Sequence, residues 1–286
     1  MKLQSPLGLV LAGGASHGAW QAGMIEGLVR EGLIFDDVFG FSIGSLNGAG
    51  YCLQKLDILI DIWRNIEDSR ILRFQPRLFP FSMYSNAALA EVVTHGGSED
   101  EAMNSCRSRF TIVSTDKNDQ RHCYARFTPQ GKEGWDGPIA RHMMASCAIP
   151  MVFPPVKIDV RGRTRHLVDG GVWVSENISF EAVAHCEDII VLVMTHPEDL
   201  GRKAGFGYVK RREQRVREGL WDYMDSGVRT LANLPKKPRI FKVYPSSRLD
   251  YSLLAFKNKF CTPAVDQGIA DASAFLKDPS EFLIKC

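Results

Sequence analysis

The chain has 286 residues, 45% of them hydrophobic and 24% charged, which is typical of a globular protein with a substantial core. Thirty-five basic and thirty-three acidic residues leave a formal net charge of +2, so the composition argues against a nucleic-acid-binding protein. The seven cysteines are scattered and contain no C-x-x-C pair, which excludes a disulfide or zinc framework and favours a reducing, cytoplasmic location. No apolar stretch approaches the roughly 18 residues that a membrane-spanning helix needs.

Strand-like and helix-like segments alternate along the chain, and this alternation predicts an α/β fold with a largely parallel sheet. The first apolar run, Leu7 to Ala12, follows Lys2 and has some likeness to a secretory signal. The run is short and continues into a glycine turn, so we interpret it as the first strand. Neither an internal repeat nor a low-complexity linker interrupts the chain, and we expect one domain over residues 1–286. We expect further strands at 38–41, 109–114, 122–127, 188–194 and 239–244, and helices at 19–31, 43–53, 134–147 and 261–276.

The first candidate motif is the turn Gly13-Gly14-Ala15-Ser16-His17-Gly18, which lies between the first strand and the first helix. A phosphate-binding P-loop would continue with Lys and then Ser or Thr, but Ala19 and Trp20 stand there. A dinucleotide fingerprint would have glycine at the position of Ala15. Considered alone, the turn therefore predicts only a tight connection from strand to helix.

The second motif is Gly40-Phe41-Ser42-Ile43-Gly44, a G-x-S-x-G sequence between a predicted strand and a predicted helix. A nucleophile elbow requires this context, because the sharp turn projects the serine hydroxyl from the top of the sheet. The flanking glycines leave room for the neighbouring strand and helix. The pattern therefore favours Ser42 as a catalytic nucleophile.

A nucleophilic serine needs a base, and acyl transfer also needs donors for the developing oxyanion. The sequence offers Asp169 as the base, in the run Leu167-Val168-Asp169-Gly170-Gly171. Backbone N–H groups of the turn at 13–18 are candidates for the oxyanion donors, since they precede a helix N-terminus. The proline-rich passage from Ser146 to Val156 is a candidate pocket wall. Individually, each of these segments is also typical of an ordinary turn or extended segment.

Taken together, these four segments resemble the patatin-like phospholipase family. The resemblance covers residues 7 to about 171 in the expected order. It implies a three-layer α/β/α fold and a lipid acyl hydrolase with a Ser-Asp dyad, the rest of the chain completing the sheet and the outer helices. By this resemblance Ser42 matches the nucleophile, Asp169 the base, and Gly13, Gly14 and Ala15 the oxyanion hole. The supporting positions of the family's motifs match His17, Gly18, Gly40, Gly44, Gly170 and Gly171.

Two residues depart from the family's pattern. Family members usually have a third glycine where Ala15 stands, and Arg or Lys where His17 stands. An unperturbed histidine titrates at about pH 6.5, so if its charge supports the glycine turn or the oxyanion, activity should lose a component as the pH rises through the His17 titration. The alternative is that His17 only packs against or caps the helix that begins near Gly18. Both departures concern the oxyanion hole and not the dyad.

Three other interpretations remain open. A Ser-His-Asp α/β-hydrolase would use His185 or His196, although its elbow normally follows more strands than the two that precede Ser42. A malonyl-type acyltransferase would have histidine where Phe41 stands. A binding or scaffold protein with a degraded oxyanion hole is the non-enzymatic alternative.

The expected partner is a lipid or another ester substrate. No metal or cofactor is expected, because the seven histidines form no H-E-x-x-H and no helical pair at i, i+4. The basic stretch Lys210-Arg211-Arg212, continuing to Arg215 and Arg217, is most typical of a solvated helix face, and it is also a candidate for peripheral contact with an anionic membrane. Three bulky aromatic residues belong either to the core or to an acyl pocket: Trp20, Trp173 and Phe206.

Overall fold

The computed structural model has a mixed eight-stranded sheet flanked by helices, which agrees with the predicted α/β class. The structure describes residues 1–67, 74–77, 82–85, 97–129, 133–160, 162–172, 176–202, 207–234 and 236–284. The strands are β1 (Leu7–Leu11), β2 (Asp37–Phe41), β3 (Phe74–Arg77), β4 (Ser82–Tyr84), β5 (Arg109–Asp116), β6 (Arg121–Phe127), β7 (Val156–Val160), β8 (Arg163–Asp169), β9 (Asp188–Leu192) and β10 (Arg239–Val243). The helices are α1 (Gly18–Arg30), α2 (Ile43–Cys52), α3 (Leu56–Arg64), α4 (Glu99–Ser105), α5 (Ile139–Ser146), α6 (Tyr208–Ala232) and α7 (Asn258–Lys277).

The main sheet has the strand order β10-β9-β1-β2-β5-β8-β7, with β6 on the other edge of β5. The five strands from β10 to β5 are parallel, whereas β6, β7 and β8 pair antiparallel. Every residue of β1, β2 and β9 is buried, because parallel strands at the centre of a sheet are covered on both faces. This burial explains the almost continuous apolar sequences by which β1 and β9 are predicted.

The sequence prediction differs from the structure at one helix boundary and at one hairpin of the main sheet, and it also lacks β3, β4 and α4. The helix expected over 134–147 begins only at Ile139, because Gly134 and Gly137 have positive φ values of 86° and 95° and Pro138 then caps the helix. The hairpin β7–β8 is not predicted, because the first half of β8 is polar and only partly buried. An exposed edge of this kind lacks the apolar alternation from which strands are recognised.

Helices pack against the sheet and bury a single apolar cluster that includes Trp20 of α1. Trp20 is fully buried and its Nε1 donates a 2.8 Å hydrogen bond to Asp271 of α7, so it belongs to the core and not to an acyl pocket. Trp173 and Phe206 lie outside the described residues. Among the helices that the structure describes, none is both long and apolar enough to cross a membrane.

Candidate active site

Ser42 occupies a sharp turn between β2 and α2, as the sequence predicts. Its backbone has φ 51° and ψ −135°, a combination that residues other than glycine rarely adopt. A Cβ atom on Gly44 would lie 2.4 Å from the carbonyl oxygen of Leu11, and one on Gly40 would lie 2.6 Å from the carbonyl oxygen of Gly44. Only glycine therefore fits at the two flanking positions, and the turn holds Ser42 at the carboxyl end of β2.

The elbow is fixed by hydrogen bonds to its backbone. The N–H of Ser42 donates to the hydroxyl of Ser146 at 2.9 Å, and that hydroxyl donates in turn to the carbonyl oxygen of Val113. The N–H and the hydroxyl of Ser45 both donate to the carbonyl oxygen of Ser42, at 2.9 and 2.7 Å. Ser146 therefore joins the elbow to β5, a role that sequence reasoning missed when it interpreted the 146–156 segment as a pocket wall.

The register of β5 brings Asp169 to the elbow. β2 pairs with β5 up to Phe41 opposite Val113, and β8 pairs with the same strand from Asp169 opposite Ser114. β6 covers the other edge of β5, so the ends of β2 and β8 meet at consecutive positions on one edge. The residue after β2 and the last residue of β8 are consequently neighbours, although 127 positions separate them in the chain.

Ser42 and Asp169 are in direct contact. The Ser42 hydroxyl donates a 2.6 Å hydrogen bond to Oδ2 of Asp169, and the N–H of Gly171 donates to Oδ1 at 2.8 Å. Both side chains are buried, with Ser42 7% and Asp169 5% exposed. Burial raises the pKa of Asp169 from 3.8 to about 6, while the bonds from Ser42 and Gly171 act in the opposite direction. The carboxylate is thus ionised at neutral pH, with a proton affinity well above that of a solvated aspartate.

The D-G-G turn is held by the neighbouring backbone. Asp169 donates its N–H to the carbonyl oxygen of Ala148, and Gly170 donates to that of Ser146. A Cβ atom on Gly170 would lie 2.3 Å from the carbonyl oxygen of Val113, so the turn lies flat against β5. Tyr223 of α6 donates to the carbonyl oxygen of Gly170 at 3.0 Å. These contacts position the carboxylate of Asp169 without using its own oxygens.

The glycine turn lies beside the elbow. A Cβ atom on Gly13 would come within 3.0 Å of the Cβ of Ser42. Within the described part of the chain, the N–H groups of Gly13, Gly14 and Ala15 donate to no protein acceptor. Ala15 has φ 49°, a conformation that glycine adopts without strain, and the turn ends at Gly18, where α1 begins. The arrangement leaves three consecutive backbone donors in this turn, and Gly13 lies next to the candidate nucleophile.

The expectation that His17 titrates near neutral pH is wrong. His17 is buried, and its Nε2 lies 3.1 Å from the carbonyl oxygen of Tyr251. Burial and the nearby positive charge of Arg217 lower the pKa of His17 to about 3. The imidazole is therefore uncharged throughout the neutral range, and it supplies no pH-dependent charge to the glycine turn.

The loop after β10 supports the glycine turn, and sequence reasoning missed it. Ser16 donates its N–H to the carbonyl oxygen of Leu253 at 3.0 Å. Arg217 donates to the carbonyl oxygen of Tyr251 at 2.7 Å and forms an ion pair with Asp199 at 3.5 Å. The side chain of Arg217 is only 12% exposed, so this residue does not belong to a solvated basic face. No local sequence pattern could reveal this role of Arg217, because Asp199 and Tyr251 lie far from it in the sequence.

The two histidines of the alternative triad lie against other groups. Nε2 of His185 is 3.0 Å from Asp37, the first residue of β2, whereas Ser42 follows the last residue of that strand. Nδ1 of His196 accepts a hydrogen bond from the N–H of Glu198 at 3.1 Å. The structure therefore gives Ser42 an aspartate partner and not an imidazole.

One cluster in the described part of the chain has the residue types of a metal site. Ligand atoms of Asp37, His185 and Cys186 lie within 4.8 Å of one another. Arg109 also donates two hydrogen bonds to the Asp37 carboxylate, at 2.6 and 2.7 Å. A guanidinium group that occupies both carboxylate oxygens competes with a cation, so the cluster is better described as an ion-paired anchor at the opposite end of β2.

Comparison with known proteins gives one family. Residues 9–184 match the family model described as Patatin-like phospholipase. This range contains both candidate motifs, Ser42 and Asp169.

Solved structures with distant similarity include those of two bacterial proteins. VipD from Legionella pneumophila has 14% sequence identity and a TM-score of 0.45, over 96% of this chain and 67% of that chain. The type III effector protein ExoU has 12% identity and a TM-score of 0.43, over 96% of this chain and 53% of that chain. ExoU in complex with SpcU, from Pseudomonas aeruginosa, has 17% identity and a TM-score of 0.31, over 98% of this chain and 61% of that chain. The chain thus spans about half to two thirds of the length of the chains that it matches.

Proposed function

The chain belongs to the patatin-like phospholipase family, and on this premise we propose that it is a lipid acyl hydrolase with Ser42 as nucleophile and Asp169 as general base. The observation that carries the proposal is the 2.6 Å hydrogen bond from the Ser42 hydroxyl to the Asp169 carboxylate. It joins a hydroxyl on a strained elbow to a buried carboxylate with a raised pKa. Nucleophilic catalysis by serine requires a base within hydrogen-bond reach of the hydroxyl, and Asp169 meets this requirement.

In the acylation step, Oγ of Ser42 attacks the carbonyl carbon of a lipid ester while its proton passes to Oδ2 of Asp169. The carbonyl oxygen becomes an oxyanion in a tetrahedral intermediate. When the intermediate collapses, the bond between the carbonyl carbon and the leaving oxygen breaks, and the proton on Asp169 passes to that oxygen. The alcohol part of the lipid leaves, and the acyl group remains on Ser42.

In the deacylation step, a water molecule attacks the acyl carbon and gives its proton to Asp169. The second tetrahedral intermediate expels the Ser42 oxygen, which recovers the proton from Asp169. The product is a fatty acid, and both residues return to their starting states. One carboxyl group thus acts alternately as base and acid, as general acid–base catalysis allows.

The raised pKa of Asp169 suits this double role. A solvated aspartate with a pKa of about 3.9 is a weak base near neutral pH. Burial brings the pKa of Asp169 to about 6, which makes the proton transfer from serine less unfavourable while the group stays ionised at pH 7. Esters are easier to cleave than amides, so a two-residue system suits lipid esters better than peptides.

The N–H groups of Gly13, Gly14 and Ala15 are the proposed oxyanion donors. The closeness of Gly13 to Ser42, and the lack of protein acceptors for all three N–H groups in the described residues, support this role. One well-placed donor contributes about 3–4 kcal/mol to the stability of the transition state in comparable sites. Free donors of this kind also weigh against a degraded oxyanion hole, the basis of the scaffold alternative.

Replacing both candidate histidines distinguishes the Ser-Asp dyad from a Ser-His-Asp triad. Wild-type protein and the double variant His185→Ala/His196→Ala are compared on p-nitrophenyl esters and on phospholipids of several head groups. We expect the double variant to retain kcat within about threefold of wild type, because neither imidazole touches Ser42. A loss of 10³-fold or more would be the size typical of a catalytic histidine and would favour the triad. Folded wild-type protein that turns over no ester would favour the scaffold alternative.

A further inference from the structure

A cleft of about 580 Å³ lies between the D-G-G turn and the first half of α6. Gly171 lines one side, and a Cβ atom there would lie 3.4 Å from Cδ2 of Leu220 on the helix side. The cleft therefore reaches the turn that carries Asp169. Its volume is in the range of small-molecule and lipid sites, about 300–1,000 Å³.

The helix side of the cleft combines apolar and cationic side chains. The apolar side chains on the helix side are those of Tyr208, Val216 and Leu220, and the last two lie one turn apart on the same face of α6. Tyr208 is 73% and Val216 43% exposed, so the apolar row opens to solvent at the mouth of the cleft. Three arginines line the same cleft: Arg211, Arg212 and Arg215.

These three arginines have no carboxylate partner among the described residues. Arg211 donates to the carbonyl oxygen of Gly207 at 3.5 Å, and Arg212 lies 3.5 Å from the Tyr208 hydroxyl and 3.6 Å from the Met151 sulfur. All of these contacts are long and involve neutral groups. Three exposed arginines therefore line the cleft, and no described carboxylate pairs with them.

The two acidic residues of α6 that lie nearest to the three arginines in the sequence, Glu213 and Glu218, are engaged elsewhere. Glu213 accepts hydrogen bonds from the Ser252 hydroxyl and from the N–H of Leu253. Glu218 accepts from the N–H of Gly201 at 3.1 Å. They help to pack α6 against its neighbours and do not balance the charge of Arg211, Arg212 and Arg215, the arginine row of the cleft.

The arginine row does not stabilise α6 locally. Lys210 and Arg211 lie in the first turn of α6 and Arg212 follows directly, with no acidic residue in that turn. Cations at a helix N-terminus oppose the helix dipole. Stabilisation of the helix N-terminus therefore does not explain the basic residues of its first turns, whereas binding of an anion would account for all three arginines that line the cleft.

We propose that Arg211, Arg212 and Arg215 bind the phosphate of a glycerophospholipid substrate at the mouth of the cleft, while the apolar row beside them contacts its acyl chain. This inference rests on the proposed function, since it makes the phosphate part of the substrate that Ser42 cleaves. Guanidinium groups bind phosphate oxygens through paired, charge-assisted hydrogen bonds, which gives the cleft a preference for phospholipids over neutral esters.

The test uses two substrates that differ only in the phosphate: dihexanoyl phosphatidic acid and 1,2-dihexanoylglycerol, both kept monomeric. The variants Arg212→Gln and Arg215→Gln are compared with Lys210→Gln, which removes a charge from the same exposed turn but does not line the cleft. We expect each arginine variant to lower kcat/KM for the phosphatidic acid at least about tenfold, mainly through KM. Hydrolysis of the diacylglycerol, and both activities of Lys210→Gln, should stay within about twofold of wild type.

Two further readouts distinguish lost phosphate binding from a general loss of stability. The unfolding free energies of the arginine variants should stay close to that of wild type, because neither arginine has a carboxylate partner among the described residues. In the Ser42→Ala protein, calorimetric binding of the diether analogue of phosphatidic acid, which has no acyl ester to cleave, should be weakened by Arg212→Gln and unaffected by Lys210→Gln. This binding assay decides the subsite even if Ser42→Ala hydrolyses esters at the wild-type rate, a result that would overturn the proposed function.

Other outcomes contradict the inference. An equal loss on both substrates would mean that the arginines maintain the site and do not recognise phosphate. A loss seen on vesicles but not on monomers would assign the row to a membrane surface. Equal effects of Arg212→Gln and Lys210→Gln would mean that only the net charge of the surface matters.

Discussion

Ser42→Ala and Asp169→Asn should each reduce ester hydrolysis by about 10³-fold or more while the protein stays folded. Alanine removes the oxygen that attacks the ester. Asparagine keeps the shape of Asp169 but cannot take the proton, and its amide group would donate to Oγ where the carboxylate now accepts. The measurement is kcat/KM on a soluble ester and on a phospholipid. Turnover above about a tenth of wild type in either variant would contradict the dyad.

Stability measurements provide the control for Asp169→Asn. The native pKa of Asp169, about 6, lies above its ordinary value of 3.8, so folding favours the protonated form. The stabilisation is fully present below pH 3.8 and is lost as the pH rises through about 6. Since one pKa unit corresponds to about 1.4 kcal/mol, the ionised group costs up to about 3 kcal/mol at pH 8.

Asp169→Asn should therefore unfold at a higher denaturant concentration than wild type at pH 8 and at nearly the same concentration at pH 4. A variant that is both inactive and more stable at pH 8 cannot owe its inactivity to unfolding. A variant that is less stable at both pH values would show that asparagine does not satisfy the Ser42 and Gly171 groups.

The pH dependence of kcat/KM should follow the ionisation of Asp169. Only the carboxylate can accept the proton of Ser42, so activity should rise about tenfold per pH unit below 6 and level off above pH 7. At pH 4.5 we expect about 3% of the plateau value. An uncharged soluble ester, with product quantified by chromatography, keeps substrate ionisation out of the profile.

The same profile tests the correction for His17. Because the pKa of His17 lies near 3, no component of activity should be lost between pH 7 and 8.5. A fall of severalfold over that range would mean that the imidazole carries a charge when the enzyme works.

The acidic side of the profile tests Asp169. A midpoint of the rise in kcat/KM below pH 5 would contradict the raised pKa of Asp169.

The elbow could be predicted because its chemistry is local. The glycines at 40 and 44 and the serine between them lie within five residues, and the preceding apolar run places them at the end of a strand. The backbone conformation of Ser42 and the close approach of Gly44 to Leu11 follow from that context. The prediction of Asp169 depended on the resemblance, since D-G-G alone is typical of many turns.

The remaining features of the site depend on tertiary contacts. The contact between Ser42 and Asp169 depends on the register with which β2 and β8 pair with β5. The strand β8 cannot be recognised from the sequence, because its first half is polar and partly exposed. His17 was expected to titrate normally because burial and the approach of Arg217, 200 residues away, cannot be read from its neighbours. The residue types of such segments can be read from the sequence, but the pKa values and contacts that depend on distant partners cannot.

The most direct test of the account is covalent labelling of the purified protein with a fluorophosphonate, followed by peptide mapping. Only an activated hydroxyl attacks this reagent at an appreciable rate. The account predicts a single adduct on Ser42 in wild type, none in Ser42→Ala, and labelling slowed by orders of magnitude in Asp169→Asn. An adduct on another serine, no adduct on folded wild type, or equal labelling of Asp169→Asn would contradict it.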